Sequence, residues 1–96
     1  MSKNHFLTVD AGTGSVRAVL FDLEGNQTAC VQQEWDHKED PRYPGSMDFN
    51  WEYNWKLTCG CIKGVLEQSG ISPDDIAAIS TTCMREGIVL YDREGN

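Results

Sequence analysis

No run of about 18 apolar residues occurs in this sequence, so nothing in it reads as a membrane-spanning helix. The first residues carry no basic patch followed by an apolar stretch, so no secretory leader is read. Positive charge is also scarce, with 8 Lys and Arg against 15 Asp and Glu, scattered from Lys3 to Arg93. Without a basic stripe there is no electrostatic footprint for duplex or single-stranded nucleic acid. The net charge of −7 serves solubility instead. The four cysteines, Cys30, Cys59, Cys61 and Cys83, form no Cys-x-x-Cys pair, and only His5 and His37 could complete a metal site. They read as buried, reduced thiols of a cytoplasmic protein rather than as a zinc centre.

What is present is enough for a modest core. Hydrophobic residues make up 40% of 96, which suits one small domain or a piece of a larger one, with little stability to spare.

Phe6 to Val9 is a short apolar run ending at Asp10 and reads as a buried strand. A turn, Ala11-Gly12-Thr13-Gly14, follows. From Ser15 to Phe21 the chain alternates, with Val16, Ala18 and Leu20 opposite Arg17, Val19 and Phe21, which is strand periodicity. Glu24-Gly25-Asn26 is a hairpin turn, and Thr28 to Glu34 a third strand. These three strands predict an antiparallel meander. His37 to Ser46, with Pro41, Pro44 and Gly45, is a surface loop. Asp48 or Asn50 can cap the helix that follows. Its predicted apolar face holds Trp51, Trp55, Thr58, Cys59, Ile62, Val65 and Leu66, and Gly70 ends it. Gly60 and Gly64 lie four apart inside it; close approach to a neighbour and plain tolerance explain them equally well. Ser72-Pro73-Asp74-Asp75 opens a capped helical turn. Ile76 to Cys83 reads as a buried, parallel strand, and Gly87 to Tyr91 as another. Val19 to Asn26 parallels Val89 to Asn96, each a strand entering a turn. A chain that stops inside the second such turn predicts a piece of a longer protein.

The informative stretch is Asp10 to Arg17. Gly12 and Gly14 let backbone N–H groups approach a phosphate closely, and Thr13 and Ser15 add hydroxyl donors. Arg17 offers a planar cationic fork, and Asp10 an oxygen ligand suited to magnesium. The Walker loop is excluded because no Gly-Lys-Ser/Thr ending occurs. The dinucleotide loop is excluded because Arg17 takes the place of the third glycine and the turn opens a strand, not a helix. Composition alone serves an ordinary glycine-rich hairpin equally well.

A strand ending in Asp, then Gly-Thr-x-Ser-x-Arg, then a strand, resembles the first phosphate motif of the actin, heat-shock and sugar-kinase superfamily. Within it the whole chain is similar to the carbohydrate kinases that include glycerol, xylulose and gluconate kinases. Asp10 to Ser15, Pro44-Gly45-Ser46-Met47 and Met84 to Tyr91 look most like the autoinducer-2 kinase branch. The resemblance implies a ribonuclease-H-like α/β domain with strand order 3-2-1-4-5. It also implies a second such domain in the rest of the chain, with ATP and a small sugar-like substrate between the two. Asp10 would help hold magnesium, and Gly12, Thr13, Gly14, Ser15 and Arg17 would face the transferring phosphoryl group. Arg85 and Glu86 match a pair that contacts substrate hydroxyls in glycerol kinases; a solvated surface pair is the plainer alternative. Gly14 stands where many relatives carry Thr or Ser, and Ser46-Met47 replaces the aromatic that often follows Pro-Gly. The catalytic base and adenosine pocket are expected downstream.

The reading is therefore the N-terminal part of the first domain of an ATP-dependent carbohydrate kinase, inactive alone. Autoinducer-2 is the favoured acceptor, with gluconate, xylulose or glycerol as alternatives. A non-catalytic binding module of the same fold is the reading from another class. An unpaired edge strand ending at Tyr91 predicts self-association.

Overall fold

The computed structural model describes residues 3–46, 50–83 and 90–95. Its sheet grows from the alternation in β2 (Ser15–Asp22), where Val16, Ala18 and Leu20 are fully buried on one face and Arg17 is exposed on the other. β1 (His5–Ala11) pairs antiparallel with β2, Leu7 opposite Leu20 and Asp10 opposite Arg17. β3 (Gln27–Glu34) pairs antiparallel with the other edge of β2. β4 (Ile76–Cys83) lies parallel to β1, which gives the order β3-β2-β1-β4. The predicted meander, the parallel return and the relative order of the first four strands are all present.

Turn chemistry fixes the register between β2 and β3. The Asp22 carboxylate accepts the N–H groups of Glu24 and Asn26, both at 2.9 Å, and Gly25 takes φ +86°. The second copy of this sequence forms the same turn: Glu94 N–H reaches the Asp92 carboxylate at 2.9 Å, and Gly95 takes φ +85°. The eight-residue likeness is therefore turn chemistry. Leu90 and Tyr91 ahead of it are not in a strand, and the rest of that predicted strand lies outside the described residues.

α1 (Trp51–Ser69) begins and ends where its caps dictate. Asn50 Oδ1 accepts the Tyr53 N–H at 3.2 Å, and Gly70, left-handed at φ +75°, donates to the Leu66 carbonyl. Asp48, the other candidate cap, lies outside the described residues. Ser72 and Asp75 form the predicted capping box around the Pro73–Asp75 turn.

The packed face of α1 matches the expected one only in part. Val65 is buried and Ile62 packs on the core as expected, but Trp55 is 60% exposed, and Asn54 and Cys61 are buried instead, with Leu57 beside them. Two close contacts set this rotation. The Cys61 thiol lies 3.8 Å from the Val16 carbonyl. A Cβ on Gly64 would sit 3.1 Å from a Val31 methyl, a tight contact that Val31 would have to relieve by moving a few tenths of an ångström, so glycine lets the helix come this near β3 without crowding. Gly60 has nothing within 4 Å, so for it plain tolerance is the answer.

β4 also departs from expectation. It is parallel but exposed along most of its length, with Ile79 63% accessible, because α1 covers β2 and β3 rather than this edge. Among the described residues the sheet has two edge strands, β3 and β4, and most of the predicted strand ending at Tyr91 lies outside them. The cysteines divide as well: Cys61 is buried, Cys30 and Cys59 are partly buried, and Cys83 is exposed. Burial pushes the Cys61 thiol up, which keeps it protonated.

Gly60→Ala should stabilise the chain by about 0.5–1 kcal/mol, the ordinary helix gain. Gly64→Ala should forfeit that gain, since Val31 must move. Urea midpoints of the two variants test this. Equal stabilisation by both would contradict the close approach.

Asp22 gives a pH signature. Hydrogen bonding, the Asn26 N–H foremost, holds its carboxyl below the usual value of 3.8. Its contribution is therefore present above that value and fades as pH falls through the lowered one. Asp22→Ala should melt below the wild type at neutral pH, and the gap should close as pH drops below 3.8.

Candidate phosphate-binding turn

β1 and β2 are joined by residues 12–14, the narrowest link in the sheet. Gly12 N–H closes the hairpin on the Ser15 carbonyl at 2.8 Å. Because strand side chains alternate, Val9 and Ala11 face α1, and Asp10 shares the opposite face with Arg17, its cross-strand partner. The Arg17 guanidinium lies 3.6 Å from the Asp10 carboxylate, and both side chains are about half exposed, at 50% and 43%. Ser15 Oγ accepts a hydrogen bond from Gln32 Nε2 at 3.0 Å. The structure thus brings Asp10, Gly12, Thr13, Gly14, Ser15 and Arg17 together at one edge.

The carbonyls of this turn are engaged from behind. Trp35 Nε1 donates to the carbonyls of Gly12 and Thr13 at 3.1 and 3.2 Å, and Trp35 N–H donates to Gly14 O at 3.1 Å. His37 Nε2 lies 2.7 Å from Thr13 O. Among the described residues, no partner takes the N–H groups of Thr13 and Gly14. The turn therefore presents donors with its acceptors already occupied, the arrangement that suits an anion. Sequence reasoning missed Trp35 and His37. Their signal was an aromatic and an imidazole directly after the third strand, where the hairpin brings the chain back to the turn.

The glycines serve space rather than backbone angle. Neither Gly12 nor Gly14 has a positive φ, and a Cβ on Gly14 would meet nothing within 4 Å. Open space beside free N–H groups is room for a ligand.

Asp10 fits magnesium in a limited way. Mg²⁺ commonly takes one or two carboxylates and completes its octahedron with phosphate oxygens and water. Asp10 offers one accessible carboxylate, and among the described residues no cluster of three or more His, Cys, Asp or Glu could hold a metal alone. A metal here would share its ligands with a nucleotide.

Arg85 and Glu86 lie outside the described residues. They follow Cys83 closely in the chain, and Cys83 pairs with Ala11 at the turn edge. The carboxyl ends of the parallel pair β1 and β4 meet there, the usual place for ligands on such sheets.

A separate concavity of about 440 Å³ lies between α1 and the β1–β4 strands. It is walled by Val9, Trp35, Trp51, Trp55 and Tyr91, with Trp51 and Tyr91 edge to face at 5.3 Å. Asn54, 1% exposed, borders it with no partner for its Nδ2 among the described residues. Its walls belong to the face opposite Asp10 and Arg17.

Residues 5–96 match the sequence pattern of the FGGY family of carbohydrate kinases, N-terminal domain. The chain belongs to the FGGY family of carbohydrate kinases. It is 55% identical over 94 residues to the autoinducer-2 kinase of Escherichia coli K12, covering 98% of this chain and 18% of that protein. Among solved structures it superposes on a xylulose kinase from Brucella ovis with TM-score 0.81 at 25% identity, covering 96% of this chain and 19% of the other. A xylulose kinase from Rhodospirillum rubrum gives TM-score 0.79 at 21% identity and shows the shared fold. The FGGY kinases have the actin-like, ribonuclease-H-like fold, of which the described sheet is part. The chain spans about a fifth of the length of these relatives.

Gly14→Ala in this FGGY segment should leave the melting temperature unchanged, since its Cβ meets open space. If the turn binds phosphate as proposed below, the same change should weaken ATP binding by the full-length protein. A fall in melting temperature instead would mean that the space belongs to the fold and not to a ligand.

Proposed function

We propose that this chain is the N-terminal part of the first ribonuclease-H-like domain of a two-domain, ATP-dependent carbohydrate kinase. The full protein moves the γ-phosphoryl of ATP to a hydroxyl of a small polyhydroxylated substrate. Autoinducer-2 is the acceptor favoured by the likeness to autoinducer-2 kinases. The observation that carries the reading is the turn at residues 12–14, whose Thr13 and Gly14 N–H groups have no partner among the described residues and lie beside the Asp10–Arg17 pair.

The roles follow from the chemistry of each group. Thr13 and Gly14 offer backbone N–H groups, and Thr13 and Ser15 hydroxyls, to phosphate oxygens. Gly12 shapes the approach. Arg17 exchanges Asp10 for a phosphate oxygen, a better partner for its fork. Asp10, so released, holds magnesium, which when bound would offset negative charge on the phosphates. Arg85 and Glu86 grip acceptor hydroxyls from the donor and acceptor sides. The general base and adenosine pocket belong to the remainder of the protein, so residues 1–96 alone do not turn over substrate. Cytoplasmic location and a part in quorum sensing go with the autoinducer-2 reading; no helix of the described residues is long and apolar enough to cross a membrane. Self-association of the isolated chain would run through the bare edge of β4.

Steady-state kinetics on the full-length protein test these roles. Asp10→Asn should lower kcat by about 10²-fold or more with little change in acceptor KM, the scale of one lost preorganised contact. Arg85→Ala should raise acceptor KM and leave ATP binding intact. Loss of folding in both variants, or an ATP-only effect of Arg85→Ala, would overturn the assignment.

A further inference from the structure

The geometry points to Trp35 and His37 as positioning residues for phosphoryl transfer: together they clamp the carbonyls of the 12–14 turn so that its N–H groups stay aimed at phosphate. This rests on the kinase reading above and adds two residues to which it gave no role.

The inference starts from donor and acceptor counting. A peptide unit holds its N–H and C=O in one plane, pointing in opposite directions. Fixing a carbonyl therefore fixes the N–H of the following residue. Trp35 Nε1 binds the carbonyls of Gly12 and Thr13, whose peptide units carry the N–H groups of Thr13 and Gly14. Those two N–H groups are the ones without partners among the described residues. The clamp acts on the peptide units that carry the free donors.

His37 bears on one of the same units. Its Nε2 stands 2.7 Å from Thr13 O, and a carbonyl oxygen can only accept, so Nε2 carries the proton. Thr13 O thus receives two donors, the indole and the imidazole. Thr13 and Gly14 are themselves exposed and Gly14 has open space where a Cβ would be, so little packing holds these peptides from the solvent side. Trp35, at 6% exposure, is anchored in the core with Leu7, Val9 and Val16. A rigid ring thereby carries the order of the core to a turn that has little order of its own.

The test uses the full-length kinase with Trp35→Phe, His37→Leu and His37→Gln. Phe keeps most of the ring and removes the indole N–H. Leu removes the imidazole donor, and Gln can return an N–H at a comparable reach. In Trp35→Phe and His37→Leu, amide hydrogen exchange at Gly12, whose N–H closes the turn on the Ser15 carbonyl, should quicken, with the ladder of β2 and β3 unchanged. The same variants should lose about tenfold in kcat/KM for ATP, the scale of a small misplacement of a binding group, with acceptor KM unmoved. His37→Gln should recover most of the loss. Unchanged exchange at the turn overturns the clamp. Faster exchange with unaltered ATP kinetics overturns its role toward phosphate. If Trp35→Phe fails to fold, the two His37 variants decide the matter. If the wild-type protein turns over no ATP with any polyol, the kinase reading falls, while exchange at the turn still decides the clamp.

Discussion

A buried indole is apolar everywhere except at one N–H, and that N–H must find an acceptor. In this chain Trp35 satisfies it outside the core, on the carbonyls of Gly12 and Thr13. The position of the ring is set by packing beneath α1 and against β1 and β2, and the position of its nitrogen follows. The geometry of the turn is in this way a consequence of core packing. The same packing goes with the rotation of α1 that puts Gly64 against Val31 and Cys61 against Val16. One constraint, dense contact between the helix and the sheet, runs from Gly64 to the edge at the 12–14 turn.

Much of this was legible in the sequence wherever the signal is local. Alternation in Ser15 to Phe21 located β2, and Gly25, Gly70 and the Ser72 box located turns and caps, because each depends on residues a few positions apart. The residues from Asp10 to Arg17 gave the turn for the same reason. What was not legible depends on distant partners. The predicted face of α1 followed its two tryptophans, but the sheet accepts the stripe through Asn54, Leu57, Cys61 and Gly64. The large rings project beside it. The run from Ile76 to Cys83 reads alike whether covered or bare; its exposure comes from where α1 lies, not from its own composition. Trp35 and His37 escaped notice because hydrogen bonds spanning more than twenty residues leave no periodic trace.

Part of what is uncovered lies about α1 and β4: β4 is exposed along most of its length, Trp55 and Ile79 are mostly exposed, and among the described residues Asn54 Nδ2 has no partner beside an apolar concavity. A buried amide left without a partner costs about 1–3 kcal/mol. In the proposed longer kinase, further chain against this side would bury the aromatic faces and supply an acceptor for Asn54 Nδ2. The turn edge differs in kind. Its exposed groups are polar and charged, which suits a soluble ligand rather than further core.

The Asp10–Arg17 pair shows why folding and function can be separated at that edge. At 3.6 Å and about half exposed on both sides, it is an ion pair of the sort that contributes roughly 0–1 kcal/mol. Breaking it costs the fold little, as the proposed handover of Arg17 from Asp10 to a phosphate oxygen requires. The residues that hold the sheet together, Val16, Ala18 and Leu20, point to the other face of the same strand. β2 thus places its three fully buried side chains on one face and the Arg17 of the proposed site on the other, so a charge change at position 10 or 17 leaves those three contacts untouched.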